Sequence, residues 1–172
     1  SADIKMAVDI AYNAKVQRPT VCNALDTLLV HAQSAATQLP EIATAWLSAG
    51  VEIHADDRAM RILESLENPR ILPADEKDWG TEYLSLTAAV RIVDSLDEAL
   101  GHIEKYGSGH SEVIVTEDYS SAHRFLNEVD AAVVFVNASS RFADGAEFGL
   151  GAEVAISTSK IHARGPMGLR EL

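Results

Sequence analysis

Short apolar strand-like runs alternate with amphipathic helical stretches along this chain, and that alternation restricts the folds open to it. Ile4, Val8, Ala11 and Tyr12 recur at helical spacing and predict a first helix. Residues 26–31 follow as a short strand, where consecutive Leu28, Leu29 and Val30 suit burial on both faces. Leu39, Ile42, Ala43, Trp46 and Leu47 form a second helical stripe. Pro40 lies inside that stripe and, lacking an N–H, is expected to begin a new helical segment. Residues 51–54 read as a strand, 56–65 as a helix and 73–80 as irregular chain. Residues 84–93 have the length and β-branched content of a strand. Ser95 with Glu98 then marks a capping box ahead of a helix buried through Leu96, Ala99, Leu100 and Ile103. Residues 112–116 form a further strand, 118–129 a helix buried through Ala122, Phe125, Leu126 and Val129, and 131–136 a last strand. Parallel neighbours need helical crossovers, so this order predicts an α/β fold, a largely parallel sheet flanked by helices.

The length of 172 residues fits one domain, and 47% hydrophobic with 23% charged residues is an ordinary globular composition. A formal charge of -12 repels phosphate backbones and anionic lipid, so neither nucleic acid nor a membrane is an expected partner. A local guanidinium such as Arg141 can still favour a small anion within a Debye length of roughly 8 Å. The apolar run at residues 131–136 is far shorter than the roughly 20 residues that span a bilayer. One cysteine forms no intramolecular disulfide, and a reducing compartment, the cytoplasm, is the expected location. Beyond Asn137 the pattern changes: Gly145, Gly149, Gly151, Gly165 and Gly168 crowd a loop-rich tail.

Cys22, in the context Gln17-Arg18-Pro19-Thr20-Val21-Cys22-Asn23-Ala24, sits in a predicted loop between helix and strand. It reads either as a small buried hydrophobe or as a nucleophile whose thiolate a nearby guanidinium, such as Arg18, or backbone N–H groups would favour. The six histidines are scattered without metal-ligand spacing, so no metal is expected. His54, beside Asp56 and Asp57, reads as a strand end followed by a helix cap. The stretch Gly149-Leu150-Gly151-Ala152 lacks the third glycine of a dinucleotide fingerprint. Asn137-Ala138-Ser139-Ser140-Arg141-Phe142 leaves a buried strand at its C-terminal end, where α/β sheets bind ligands. Arg141 there either grips a carboxylate or phosphate or pairs with Asp144 or Glu147.

Three blocks, QRPTVCNALDTLLVH from Gln17, LNEVDAAVVFVNASSRF from Leu126 and DGAEFGLGAEVAISTSKIHARGPMGLREL from Asp144, resemble the γ-glutamyl phosphate reductase family. That family, also called glutamate-5-semialdehyde dehydrogenase, lies in the aldehyde dehydrogenase superfamily and serves proline biosynthesis. The resemblance runs over essentially the whole chain and is weakest over residues 32–79. Ser140, Ala146 and Ser159 stand where the family's threonine, glycine and glutamine are expected. The resemblance implies an aldehyde dehydrogenase-like catalytic domain over residues 1–172, with the nucleotide-binding domain outside this chain. It implies that Cys22 attacks γ-glutamyl phosphate, expels phosphate and carries a thioester that NADPH reduces to the semialdehyde. Asn23 would shape the oxyanion turn, and Glu82 would hold a nicotinamide-ribose hydroxyl. Ser139, Ser140, Arg141, Phe142, Phe148 and Gly149 would bind the glutamyl end. The resemblance further implies a homo-oligomer for the longer enzyme and little activity for this domain alone. Two other readings stay open: a catalytic fragment of a different aldehyde dehydrogenase, and a non-enzymatic α/β binding module.

Overall fold

The computed structural model describes residues 2–171. Helix α1 spans Ile4–Val16, capped by the Asp3 side chain, which accepts from the Met6 N–H at 2.7 Å. Strand β1, Thr27–His31, leads into α2, Ala32–Ser48, and then β2, Glu52–Ala55. Helix α3, Asp57–Leu63, is followed by β3, Ile71–Pro73, and β4, Thr87–Val93. The order continues through α4, Leu96–Tyr106, β5, Ser111–Ile114, α5, Tyr119–Glu128, and β6, Val133–Val136. A small hairpin closes the described chain: β7, Ala155–Ser157, and β8, Gly165–Met167.

The α/β expectation holds, but the strands divide among three sheets. Four parallel strands run in the order β1-β4-β2-β3, β5 and β6 form a second parallel pair, and β7 and β8 pair antiparallel. Strand β4 is central and accordingly buried along most of its length. Strand β1 is an edge, so only Val30 of it is buried, contrary to the two-sided burial read from Leu28-Leu29-Val30. Strand β3 lies just ahead of the stretch predicted to be irregular, overlapping it only at Pro73, and its short run pairs with β2.

The main core is packed between this sheet and α1, α2 and α3. Trp46, Leu39, Ile53, Leu63, Val51 and Val90 are fully buried in it. Such side chains contribute roughly 1.5–3 kcal/mol each on leaving water. Small residues at Ala7, Ala11 and Ala14 let α1 approach α2, and the Trp46 indole N–H donates to the Ala11 carbonyl at 3.1 Å. Ile4 and Tyr12, predicted on the buried stripe of α1, are instead exposed. Pro40 does not start a new segment; it lies within one continuous α2. Leu39, Ile42, Ala43 and Trp46 bury that helix on both sides of the proline, outweighing one missing backbone bond.

Three further differences matter less. Leu84, predicted within a strand, takes a left-handed φ of 52° and is exposed. Leu126 is also exposed, because α5 buries itself chiefly through Phe125. In the cap of α4, Ser95 accepts from the Glu98 N–H, while the Glu98 carboxylate reaches back to the Asp94 N–H at 2.8 Å.

Candidate active site

Cys22 is exposed in the turn joining α1 to β1. The Ala24 N–H donates to the Val21 carbonyl at 3.0 Å and closes that turn. The Leu25 N–H donates to the Ala14 carbonyl at 2.9 Å and fastens the exit to α1. The turn therefore stands at the amino end of the four-stranded sheet, not at the carboxyl edge where α/β ligands commonly bind.

Asn23 joins this turn to the segment after β6. Its Nδ2 donates to the Ala143 carbonyl at 2.9 Å, and its own carbonyl accepts from Ser140 Oγ at 2.6 Å. Its side-chain oxygen accepts from the Arg141 guanidinium. A second Arg141 nitrogen, Nε, donates to Gln17 Oε1 at 3.0 Å. Arg141 thus braces both ends of the Cys22 turn, and among the described residues it pairs with neither Asp144 nor Glu147. Ser139 is buried, and its Oγ accepts from the Arg141 N–H, capping the short 3-10 turn Ser140–Phe142.

Local structure explains how β6 delivers these residues. Asn137, at a left-handed φ of 55°, turns the chain sharply out of the strand. Its side chain accepts from the Thr116 N–H at 2.8 Å and donates to the Thr116 carbonyl at 2.9 Å, locking the ends of β5 and β6 together. Phe142 and Phe148 expose about half their surface, and Phe148 stacks on Phe135 with 6.2 Å between ring centroids. Gly149 has a φ of 73°, a conformation that side chains disfavour. At Gly145 a Cβ would meet the Ala152 carbonyl oxygen at 2.7 Å, so the loop folds back closely there. That close return lets the Gly145 N–H donate to Glu153 Oε2 at 2.6 Å.

The electrostatics of Cys22 differ from the sequence expectation. Partial desolvation pushes the thiol above its ordinary value, and its own backbone N–H pulls the other way. The carboxylates of Glu153 and Glu82 add to the upward shift, and Arg141 opposes them. Arg18, the guanidinium nearest in sequence, is exposed; the one whose field reaches the sulfur is Arg141. Glu82 is exposed, and its carboxylate acts on the thiol through its charge alone. His110 faces the same two carboxylates, while burial lowers its affinity for a proton.

Sequence reasoning missed Glu153, whose only signal was its place in the glycine-rich tail. It also missed Lys15, fully buried beneath the turn, because a lysine in an amphipathic helix reads as solvent-facing. His54 lies away from the turn, where its ring nitrogens meet Asp78 Oδ1 at 2.7 Å and Glu52 Oε1 at 2.9 Å. A surface hollow of about 380 Å³ lined by Met60, Leu63 and Ile71 sits beside β3, at the far edge from Cys22. Among the described residues no group of three His, Cys, Asp or Glu side chains is placed to hold a metal ion, and no helix is long and apolar enough to cross a membrane.

This arrangement has the fold of aldehyde dehydrogenase-type proteins. An acetylating aldehyde dehydrogenase from Geobacillus thermoglucosidasius superimposes with a TM-score of 0.71 at 18% identity, covering 100% of this chain and 49% of that one. Over its whole length, the chain is similar to part of γ-glutamyl phosphate reductases. It is 65% identical over 171 residues to the γ-glutamyl phosphate reductase of Dehalococcoides mccartyi, covering 99% of this chain and 40% of the relative. The crystal structure of the Thermotoga maritima γ-glutamyl phosphate reductase matches with a TM-score of 0.94 and 51% identity, covering 99% of this chain and 40% of that one. The chain thus spans about 40% of the length of these relatives. The sequence matches no protein-family model.

Proposed function

We propose that this chain is the cysteine-bearing catalytic domain of an enzyme that reduces γ-glutamyl phosphate to glutamate 5-semialdehyde and phosphate, for proline biosynthesis. The observation carrying this reading is the Asn23 joint, which holds the Cys22 turn and Arg141 in one site. In the proposed reaction Cys22 Sγ loses its proton and attacks the γ-acyl carbon. The carbon–oxygen bond to phosphate breaks, phosphate leaves with the electron pair, and a thioester on Cys22 remains. The Cys22 backbone N–H would donate to the oxyanion as it forms. Arg141, braced by Asn23 and Gln17, presents a positive charge for the substrate's α-carboxylate; Ser139 and Ser140 hold it in place, and Phe142, Phe148 and Gly149 form the adjoining wall. The sulfur finally departs as the reduced carbon collapses to the aldehyde, a step that suits a thiolate leaving group.

NADPH, when bound, supplies the hydride that this chain lacks. The exposed Glu82 carboxylate beside Cys22 fits a ribose hydroxyl, and the remaining contacts would come from a nucleotide-binding domain outside the chain. Two consequences follow for the domain alone. Losing one oxyanion donor costs ~10²–10³ in rate, and losing the orientation of the hydride donor costs roughly 7–11 kcal/mol in the barrier. The isolated chain is therefore expected to fold without turning over. The longer enzyme is expected to be a cytoplasmic homo-oligomer.

The test is activity of the full-length parent, assayed as phosphate-dependent oxidation of glutamate 5-semialdehyde with NADP⁺, with Cys22→Ala beside the unsubstituted protein. Complete loss in Cys22→Ala and a strict need for phosphate are the expected results. Oxidation to a free acid without phosphate would assign the chain to a different aldehyde dehydrogenase. Undiminished turnover in Cys22→Ala would remove the nucleophile from the scheme.

A further inference from the structure

We infer that Lys15 is a positioning residue, which through Asp26 fixes the distance between the Cys22 turn and the Glu82 segment. The inference rests on the reading that Cys22 and Glu82 serve one site. Lys15 projects from the last turn of α1 with its side chain fully buried. Its Nζ donates to the Leu25 carbonyl at 2.7 Å, three residues beyond the nucleophile. The same nitrogen lies 3.6 Å from Asp26 Oδ1 and 5.8 Å from the centroid of the Tyr83 ring. Asp26 Oδ1 in turn accepts from the Tyr83 N–H at 3.2 Å, which is the peptide bond following Glu82. One carboxylate oxygen therefore serves both a buried ammonium and the backbone that carries Glu82.

The far side of the Glu82 segment is held equally firmly. The Tyr83 hydroxyl donates to Asp78 Oδ1 at 2.7 Å, and the same oxygen meets His54 Nδ1. Beyond Tyr83 the chain passes through the left-handed Leu84 before entering β4. The Asp26 carbonyl accepts from the Ala89 N–H at 2.8 Å, so Asp26 is itself anchored to the central strand. Lys15 has no other role within this set, since it reaches no solvent, touches no reacting atom and would be less costly to bury as methionine. Burial pulls its ammonium down and pushes Asp26 up, and a pair held against that pressure serves geometry.

The pH-rate profile of Cys22 alkylation by iodoacetamide tests this, with Lys15→Met and Glu82→Gln combined in a double-mutant cycle. In the unsubstituted background Glu82→Gln removes a negative charge acting on the sulfur and should lower the midpoint, giving roughly threefold faster alkylation near neutrality. In the Lys15→Met background that gain should disappear, because Glu82 no longer holds its place. An equal gain in both backgrounds would overturn the positioning role. No gain even in the unsubstituted background would overturn the shared Cys22–Glu82 site, and the tether with it. Should Lys15→Met fail to fold, Asp26→Ala carries the same cycle, and Asp26→Asn, which keeps an oxygen for the Tyr83 N–H, should restore the gain. A gain that survives in Asp26→Ala would again overturn the inference.

Discussion

Ser140 Oγ donates to the main-chain carbonyl of Asn23 at 2.6 Å, across 117 positions of sequence. A hydroxyl on the segment after β6 thereby holds the peptide immediately following the nucleophile. Both residues are buried, so no water stands ready to replace the bond.

Replacing Ser140 with alanine leaves that carbonyl without its partner. The expected loss is about 1–3 kcal/mol in denaturant unfolding, with Ser140→Thr retaining most of the stability because it keeps the hydroxyl. An unchanged midpoint in Ser140→Ala would show that the bond contributes nothing to the fold.

Opposite charges compete for the Cys22 thiol, so two substitutions should move it in opposite directions. Glu153→Gln should lower the pH midpoint of alkylation, and Arg141→Met should raise it. Each is expected to change the neutral-pH rate by roughly threefold, measured by mass spectrometry of the folded chain. Shifts of the same sign would mean that the two groups do not face the sulfur together.

Burial raises the Glu112 carboxyl from its usual 4.5 to about 7. The native state thus holds this proton more tightly than the unfolded chain. Stability from this group is fully present below about pH 4.5, falls as pH rises, and levels off above about 7. Glu112→Gln, which stays neutral, should flatten that part of the profile and raise stability above pH 7 by about 3 kcal/mol. A pH profile identical in the two proteins would refute the assignment.

Pro40 interrupts the bonding of α2 at the carbonyl of Ala36. Pro40→Ala should restore one backbone bond and stabilise the chain by about 1 kcal/mol, the gain being reduced by the greater freedom of the unfolded chain. Urea denaturation with an unchanged slope would report it cleanly.

The alternation of helix and strand was legible because periods of 3.6 and 2 leave different marks, as at Ile42–Trp46 and at β4. What a strand has beside it leaves no such mark: Leu28, Leu29 and Val30 look central, yet β1 lies at an edge. Pro40 misled for a related reason, since burial of Trp46 and Leu39 against the core overrides a local preference. In the site, Cys22, Asn23 and Arg141 could be named through their resemblance to a family. Asn23 could not be recognised as the joint, because its partners Ser140, Arg141 and Ala143 lie more than a hundred residues away. Lys15 and Glu153 stayed hidden, being ordinary charged residues whose importance comes only from where the chain folds them.

The two parallel sheets are separate hydrogen-bonded units, and Asn23 joins the turn that enters the first to the segment that leaves the second. Such a joint can open by local fluctuation while both sheets stay intact. The assembled site then has its own equilibrium, with a smaller free energy than global unfolding. A sample that is wholly native by circular dichroism can still hold some molecules in which Cys22 and Arg141 have parted. The reactivity of Cys22 and the folded fraction are thus separate quantities for this fold, and a substitution at the joint can change the first while leaving the second untouched.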